Sequence, residues 1–179
     1  MFDLALSFII SQVLEIIAMV FDFLSFQYKK RESTLLCLIA SYTLIGMHYF
    51  LLNKITAGII LFLAVARLFT SYFTTNNKYM YFFLFLSISS LFFTYYNIFD
   101  IIPVIASCIM VIGVFQKNNK LMREIMMIGT SVFIVYNIII FSPMAVLEEG
   151  IFLSSNVLGY YRHFIRKSSK LSKRTGGII

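Results

Sequence analysis

Charge is what this chain has least of. Asp, Glu, Lys and Arg make up 13% of its 179 residues, and apolar residues 60%. A soluble domain carries about 25% charged residues. A water-soluble fold of this length has too little interior to hide so much apolar surface, which excludes a soluble globular domain and makes lipid the solvent. Tryptophan is absent, so any aromatic belt at the membrane interfaces falls to tyrosine. The two cysteines, Cys37 and Cys108, lie inside apolar runs with no second Cys or His at ligand spacing. They read as small buried hydrophobes, neither disulfide partners nor metal ligands. There is no glycine-rich phosphate loop, no HExxH and no Cys–His cluster. No cofactor, metal or nucleophile–base pair is implied, and an enzyme is not expected. The N-terminal "MFDLALSF" places an acid where a signal peptide carries its basic region.

What remains is a succession of apolar runs. Breaks in hydrophobicity predict spans near 5–27, 33–52, 55–73, 79–95, 98–116, 121–141 and 144–162. The separators are short, such as Lys29-Lys30-Arg31-Glu32, Asn53-Lys54, Lys117 to Lys120 and Ser142-Pro143. Backbone in lipid must satisfy its own hydrogen bonds, so segments of about 20 residues are helices rather than barrel strands of about 10. Seven spans use nearly the whole chain and leave no room for a domain outside the membrane.

The basic residues orient this bundle. Alternate loops and the tail hold Lys29, Lys30, Arg31, Lys78, Lys117, Lys120, Arg123, Arg162, Arg166, Lys167, Lys170, Lys173 and Arg174, or 13 of the 15. The opposite side holds only Lys54, and Arg67 lies within a span. The positive-inside rule then predicts an N-terminus outside and a cytoplasmic C-terminus. Tyr72, Tyr79, Tyr81, Tyr160 and Tyr161 fall near the inner interface, and Tyr95 and Tyr96 near the outer one. The net charge of +7 points to anionic lipid at the basic loops and tail, not to nucleic acid. The tail itself, residues 164–179, lacks apolar periodicity and reads as disordered.

A shift of 89 residues lays the first three spans on the last three without a gap. Phe26-Gln27 falls on Phe115-Gln116, Arg31 on Lys120, Ala40-Ser41 on Gly129-Thr130, His48 on Asn137 and Arg67 on Asn156. The repeat is parallel because an odd fourth span separates the halves. The expected architecture is therefore an all-α membrane protein of 3+1+3 plan: a first repeat over 1–78, a linker helix over 79–96, and a second repeat over 97–163. Each Phe-Gln pair closes the first helix of its repeat, just before a basic loop. This resembles the Pro-Gln pair of the PQ-loop, or SWEET-like, superfamily, with Phe in the place of Pro, so the proline hinge is missing. A closer resemblance runs along almost the whole chain. "MHYFLLNKITAG", Ala66-Arg67, "IIPVIAS", Arg123, Asn137, Glu149-Gly150 and Asn156 are similar to the bacterial inner membrane protein YgjV family. That resemblance implies an inner-membrane location and a helical fold, but no reaction.

Polar groups inside lipid are costly and tend to face a bundle interior or a wet cavity, so they are the candidate site residues. Arg67 and Asp22 lie at matching depth, roughly 8–9 Å from the cytoplasmic end of their spans at 1.5 Å per residue. Their repeat mates, Asn156 and Val111, are uncharged. Two readings stand: a structural ion pair between Asp22 and Arg67, or a substrate role for Arg67. His48 and Asn137 lie in the outer halves of the second and sixth spans, with Glu149 at similar depth. His48 and Glu149 either relay a proton and bind solute, or His48 bonds a backbone carbonyl while Glu149 sits in interfacial water. Glu148 takes the interfacial reading, and Glu15 is protonated or faces a wet cavity. Pseudo-symmetry brings His48, Arg67, Asn137 and Asn156 to one central cavity between the halves. The expected function is a permease for a small polar solute, with substrate-binding residues His48, Arg67, Asn137, Asn156 and Glu149. A membrane receptor or assembly factor on the same fold is the alternative. A homo-oligomer is compatible with either.

Overall fold

A computed structural model describes residues 2–52, 55–94, 98–139, 141 and 143–166. Every regular element among them is helical. The main helices are α1 (Phe2–Ser25), α2 (Arg31–Leu51), α3 (Ile55–Phe73), α4 (Asn77–Ser89), α5 (Ile101–Val114), α6 (Asn119–Ile139) and α7 (Pro143–Tyr160). They match the seven expected segments, with bounds shifted by local chemistry. Asn76 accepts the Lys78 backbone N–H at 3.0 Å and so starts α4 two residues early. That helix stops at Ser89 and is followed by one short turn, Leu91–Thr94, then by a 3-10 turn, Ile98–Asp100, that leads into α5. Pro143 is the first residue of α7, where its missing N–H costs nothing. Helical conformation continues through Arg166 by a π turn, Tyr161–Ile165, three residues into the stretch read as tail. Lys54, the Tyr95-Tyr96 pair, Asn97 and the basic residues from Lys167 onward lie outside the described residues.

By length and composition, three of the helices can cross a membrane: Leu6–Ser25, Arg31–Leu51 and Asn119–Ile139. Ile60–Phe73 and Ile98–Val114 are shorter apolar helices. The outer face of α1 shows why lipid is the solvent. Ile9, Val13, Ile16, Val20 and Phe23 are all exposed, at spacings that make one stripe. In water such a stripe would be a large exposed patch; against acyl chains it costs nothing.

The helices pack as a ring. α1 lies on α2, α2 on α3, α3 on α5, α5 on α6, α6 on α7, and α7 returns to α1. α4 joins by packing on α5, where Phe83 meets Val111 and Phe115. The main core is Phe26, Leu35, Leu38, Leu68, Met110, Val114, Met122, Met126 and Phe152. Most of these residues come from the end of the bundle where α1, α3, α5 and α7 finish and α2 and α6 begin. Both cysteines are half-buried free thiols.

A sealed end and a charged cavity

Two arginines close the end at which the core is packed. Arg31, in the first turn of α2, donates from Nε to the Gln116 carbonyl at 2.7 Å. Its Nη2 donates to the carbonyls of Val114 at 2.8 Å and Ser71 at 3.0 Å. Arg123, in the second turn of α6 and fully buried, donates from Nη1 to the Phe26 carbonyl at 2.7 Å and from Nη2 to the Tyr28 carbonyl. Its guanidinium also stands over the Phe26 ring, 5.3 Å from the centroid. The carbonyls at a helix C-terminus have no partner within the helix and carry partial negative charge, so a buried cation is the matching cap. Arg31 thus ties the end of α5 to the start of α2, and Arg123 ties the end of α1 to the start of α6. This is where the Phe-Gln pairs act: Phe26 packs edge-on against Phe152 at 4.9 Å, and both backbone segments receive a guanidinium.

The same end is dense with other bonds. Ser155 donates to the Phe23 carbonyl, and the Gln27 amide donates to Ser155 at 3.1 Å. Arg162 and His163 both reach the Gln27 carbonyl, at 2.6 and 2.8 Å. Burial holds the His163 imidazole below its ordinary value, and the nearby Arg123, Arg162 and Lys29 add to this. Gly159 makes the close approach feasible. A Cβ there would overlap the Phe26 carbonyl oxygen and stand 2.5 Å from Arg123 Nη1.

The other end is hollow. A cavity of about 610 Å³ lies among α2, α3, α4, α5, α6 and α7, within the ~300–1,000 Å³ of small-molecule sites. Arg67 of α3 and Glu148 and Glu149 of α7 border it, as do Asp100 at the entry to α5 and the hydroxyl-bearing Tyr42, Tyr49, Tyr136, Ser87 and Ser107. Phe83, Phe133 and Met110 supply apolar wall. On α2, α4, α6 and α7 these residues lie in the part of the helix away from the arginine-capped end. No ion pair within 4.0 Å joins Arg67 to a carboxylate among the described residues, and Arg67 Nε has no hydrogen-bond partner.

The sequence-derived candidates divide between these regions. Arg67 and Glu149 border the cavity, and so does Glu148, which the sequence reading leaves in interfacial water. His48 does not. It is buried in the seam between α1 and α2, with Nδ1 at 2.9 Å from the Ser11 carbonyl and 3.8 Å from Glu15 Oε2. Asn156 sits at the sealed end, fully buried, where its amide donates to the Arg123 carbonyl at 3.1 Å. Asn137 is half-buried on α6 and is not among the residues bordering the cavity. The four-residue cluster is therefore corrected to Arg67 with the α7 carboxylates. A polar side chain in lipid is satisfied equally well by a neighbouring helix's carbonyl, which is where His48 and Asn156 go.

The Asp22–Arg67 pair is corrected too. Asp22 is buried beside Ser41 of α2, its Oδ1 without a hydrogen bond, and no salt bridge reaches Arg67. Matching depth did not imply matching direction. Sequence reasoning also missed the capping role of Arg31 and Arg123, which it used in the charge count, the repeat and the family resemblance without making them site residues. Arg123 lies four residues inside its helix, and that position was the available signal. The cavity tyrosines carried a weaker one: Tyr42 and Tyr49 are seven apart and share a helix face.

A family model described as bacterial inner membrane protein, Imp-YgjV, matches residues 9–167. No curated protein and no solved structure gives a match.

Proposed function

The chain belongs to the Imp-YgjV family of bacterial inner membrane proteins, and on that premise we propose that it is a permease for a small polar solute. The observation that carries the reading is the cavity of about 610 Å³ bordered by Arg67, Glu148 and Glu149. In a bilayer, charged groups facing a cavity in the bundle mark a solute or ion path. The packed, arginine-capped end beneath it has the form of a closed gate, so the bundle resembles a carrier open to, or loaded from, one side.

The proposed architecture is two parallel three-helix repeats, residues 1–78 and 97–163, joined by the linker over 79–96. Three observations support it. The 89-residue offset aligns both Phe-Gln pairs. Within each half the first helix packs on the second and the second on the third. The halves meet reciprocally, α1 on α7 and α3 on α5, the pattern of a two-fold axis between them. In this reading all seven helices span, and the arginine-capped end faces the cytoplasm because the basic residues collect there. Rocking of one half against the other about the cavity would then expose it to each side in turn.

The test is uptake by proteoliposomes containing the purified full chain, screened with labelled polar solutes. Saturable uptake lost in Arg67→Gln, with thermal stability retained, is the expected result. Saturable binding with no flux for any bound solute would replace the permease with a receptor.

A further inference from the structure

The charges bordering the cavity specify what should fill it. Glu148 and Glu149 contribute two carboxylates from α7, and Arg67 is the cation on the same lining. No ion pair within 4.0 Å closes Arg67 onto either of them. Opposite charges therefore face one space without neutralising each other. We propose that this cavity binds a small zwitterionic amine of the amino-acid class, its carboxylate on Arg67 and its ammonium on Glu148 and Glu149.

Each alternative leaves charge uncompensated. A neutral polyol would leave the guanidinium and the carboxylates without partners of opposite charge. A simple anion would satisfy Arg67 and be repelled by the acids. A simple cation would satisfy the acids and leave Arg67 alone. A zwitterion answers both. Arg67 borders the cavity and carries a planar fork suited to a carboxylate. Tyr42 and Tyr49 of α2 border the same space, and their ring faces suit an ammonium while their hydroxyls can donate to a carboxylate. The volume leaves room for a side chain as well as the two charged groups.

This inference deepens the permease reading and takes its cavity as the site, but binding is measured apart from flux. The full chain in lipid nanodiscs is titrated calorimetrically with the standard α-amino acids one at a time, and with mannitol and a matched aliphatic carboxylate. The tightest amino acid is then compared with its amide, which lacks the carboxylate, and with its deaminated acid, which lacks the ammonium. The expected result is saturable binding of at least one amino acid, weakened roughly ten- to hundred-fold when either charged group is removed, and none of mannitol. Arg67→Gln should abolish the preference for the acid over its amide, and Glu149→Gln the preference for the amine over the deaminated acid. Arg67→Lys keeps the charge without the fork and should bind more weakly with the same preferences, which separates recognition from misfolding. Mannitol binding without amino-acid binding, or analogue preferences unchanged in Arg67→Gln, would overturn the inference. Amino-acid binding without flux would sustain it while removing the permease; flux of a neutral solute without amino-acid binding would do the reverse.

Discussion

Removing the Arg123 guanidinium tests whether the sealed end is held as described. Arg123→Ala leaves the Phe26 and Tyr28 carbonyls without their donor. A hydrogen bond to a charged partner contributes about 1.5–3 kcal/mol. The contact with the Phe26 ring adds about 0.5–2 kcal/mol. Tyr28 is exposed, so water will take over part of its carbonyl's loss, whereas the Phe26 carbonyl lies in the packed core. A net loss of about 3–5 kcal/mol follows, a large share of the ~5–15 kcal/mol that holds a typical fold together. Arg123→Lys keeps the charge but lacks the fork that reaches two carbonyls at once, and should lose about half as much. Thermal unfolding in detergent measures both: a drop of roughly 10 °C for alanine and roughly half that for lysine. An alanine variant within about 2 °C of the parent, or lysine no better than alanine, would refute the capping argument.

Gly159→Ala should destabilise at least as much as Arg123→Ala in the same assay, because the added methyl meets backbone at Phe26 that cannot move aside. The double-mutant cycle of Asp22→Ala and Arg67→Ala should be additive within about 0.5 kcal/mol, since no ion pair joins them; a larger coupling would restore the pair. Reporter fusions after Lys30 and Lys120 should read cytoplasmic, and those after Lys54 and Asn97 periplasmic; a cytoplasmic signal at Asn97 would remove the fourth span and the parallel repeat. His163 has a lowered folded-state pKa, so the unfolded chain binds its proton more readily. Its contribution is present above the ordinary value of 6.5 and is lost as pH falls below it. The melting temperature should fall between about pH 7 and pH 5, and His163→Gln should flatten that slope.

Composition and spacing alone determined the solvent, the all-helical class and the positions of the seven segments. These follow from one-dimensional quantities: the length of apolar runs, the need of backbone in lipid to bond within its own helix, and the scarcity of charge. The family resemblance was legible for the same reason, since it lies in residues at fixed spacing. Tertiary structure decided where each polar side chain went. Depth along a helix can be counted from the sequence, but the direction a side chain takes at that depth depends on which neighbour offers a partner. His48 met the Ser11 carbonyl, Asn156 the Arg123 carbonyl, and Asp22 the vicinity of Ser41. Arg67 met no carboxylate and was left at the cavity with Glu148 and Glu149. The capping of two helix ends by Arg31 and Arg123 was likewise out of reach of a linear reading, because the carbonyls they bond lie 40 to 97 residues away in the chain. Only packing around the ring brings those ends together, and a buried guanidinium is stable there because the orphan carbonyls supply the partial negative charge it requires.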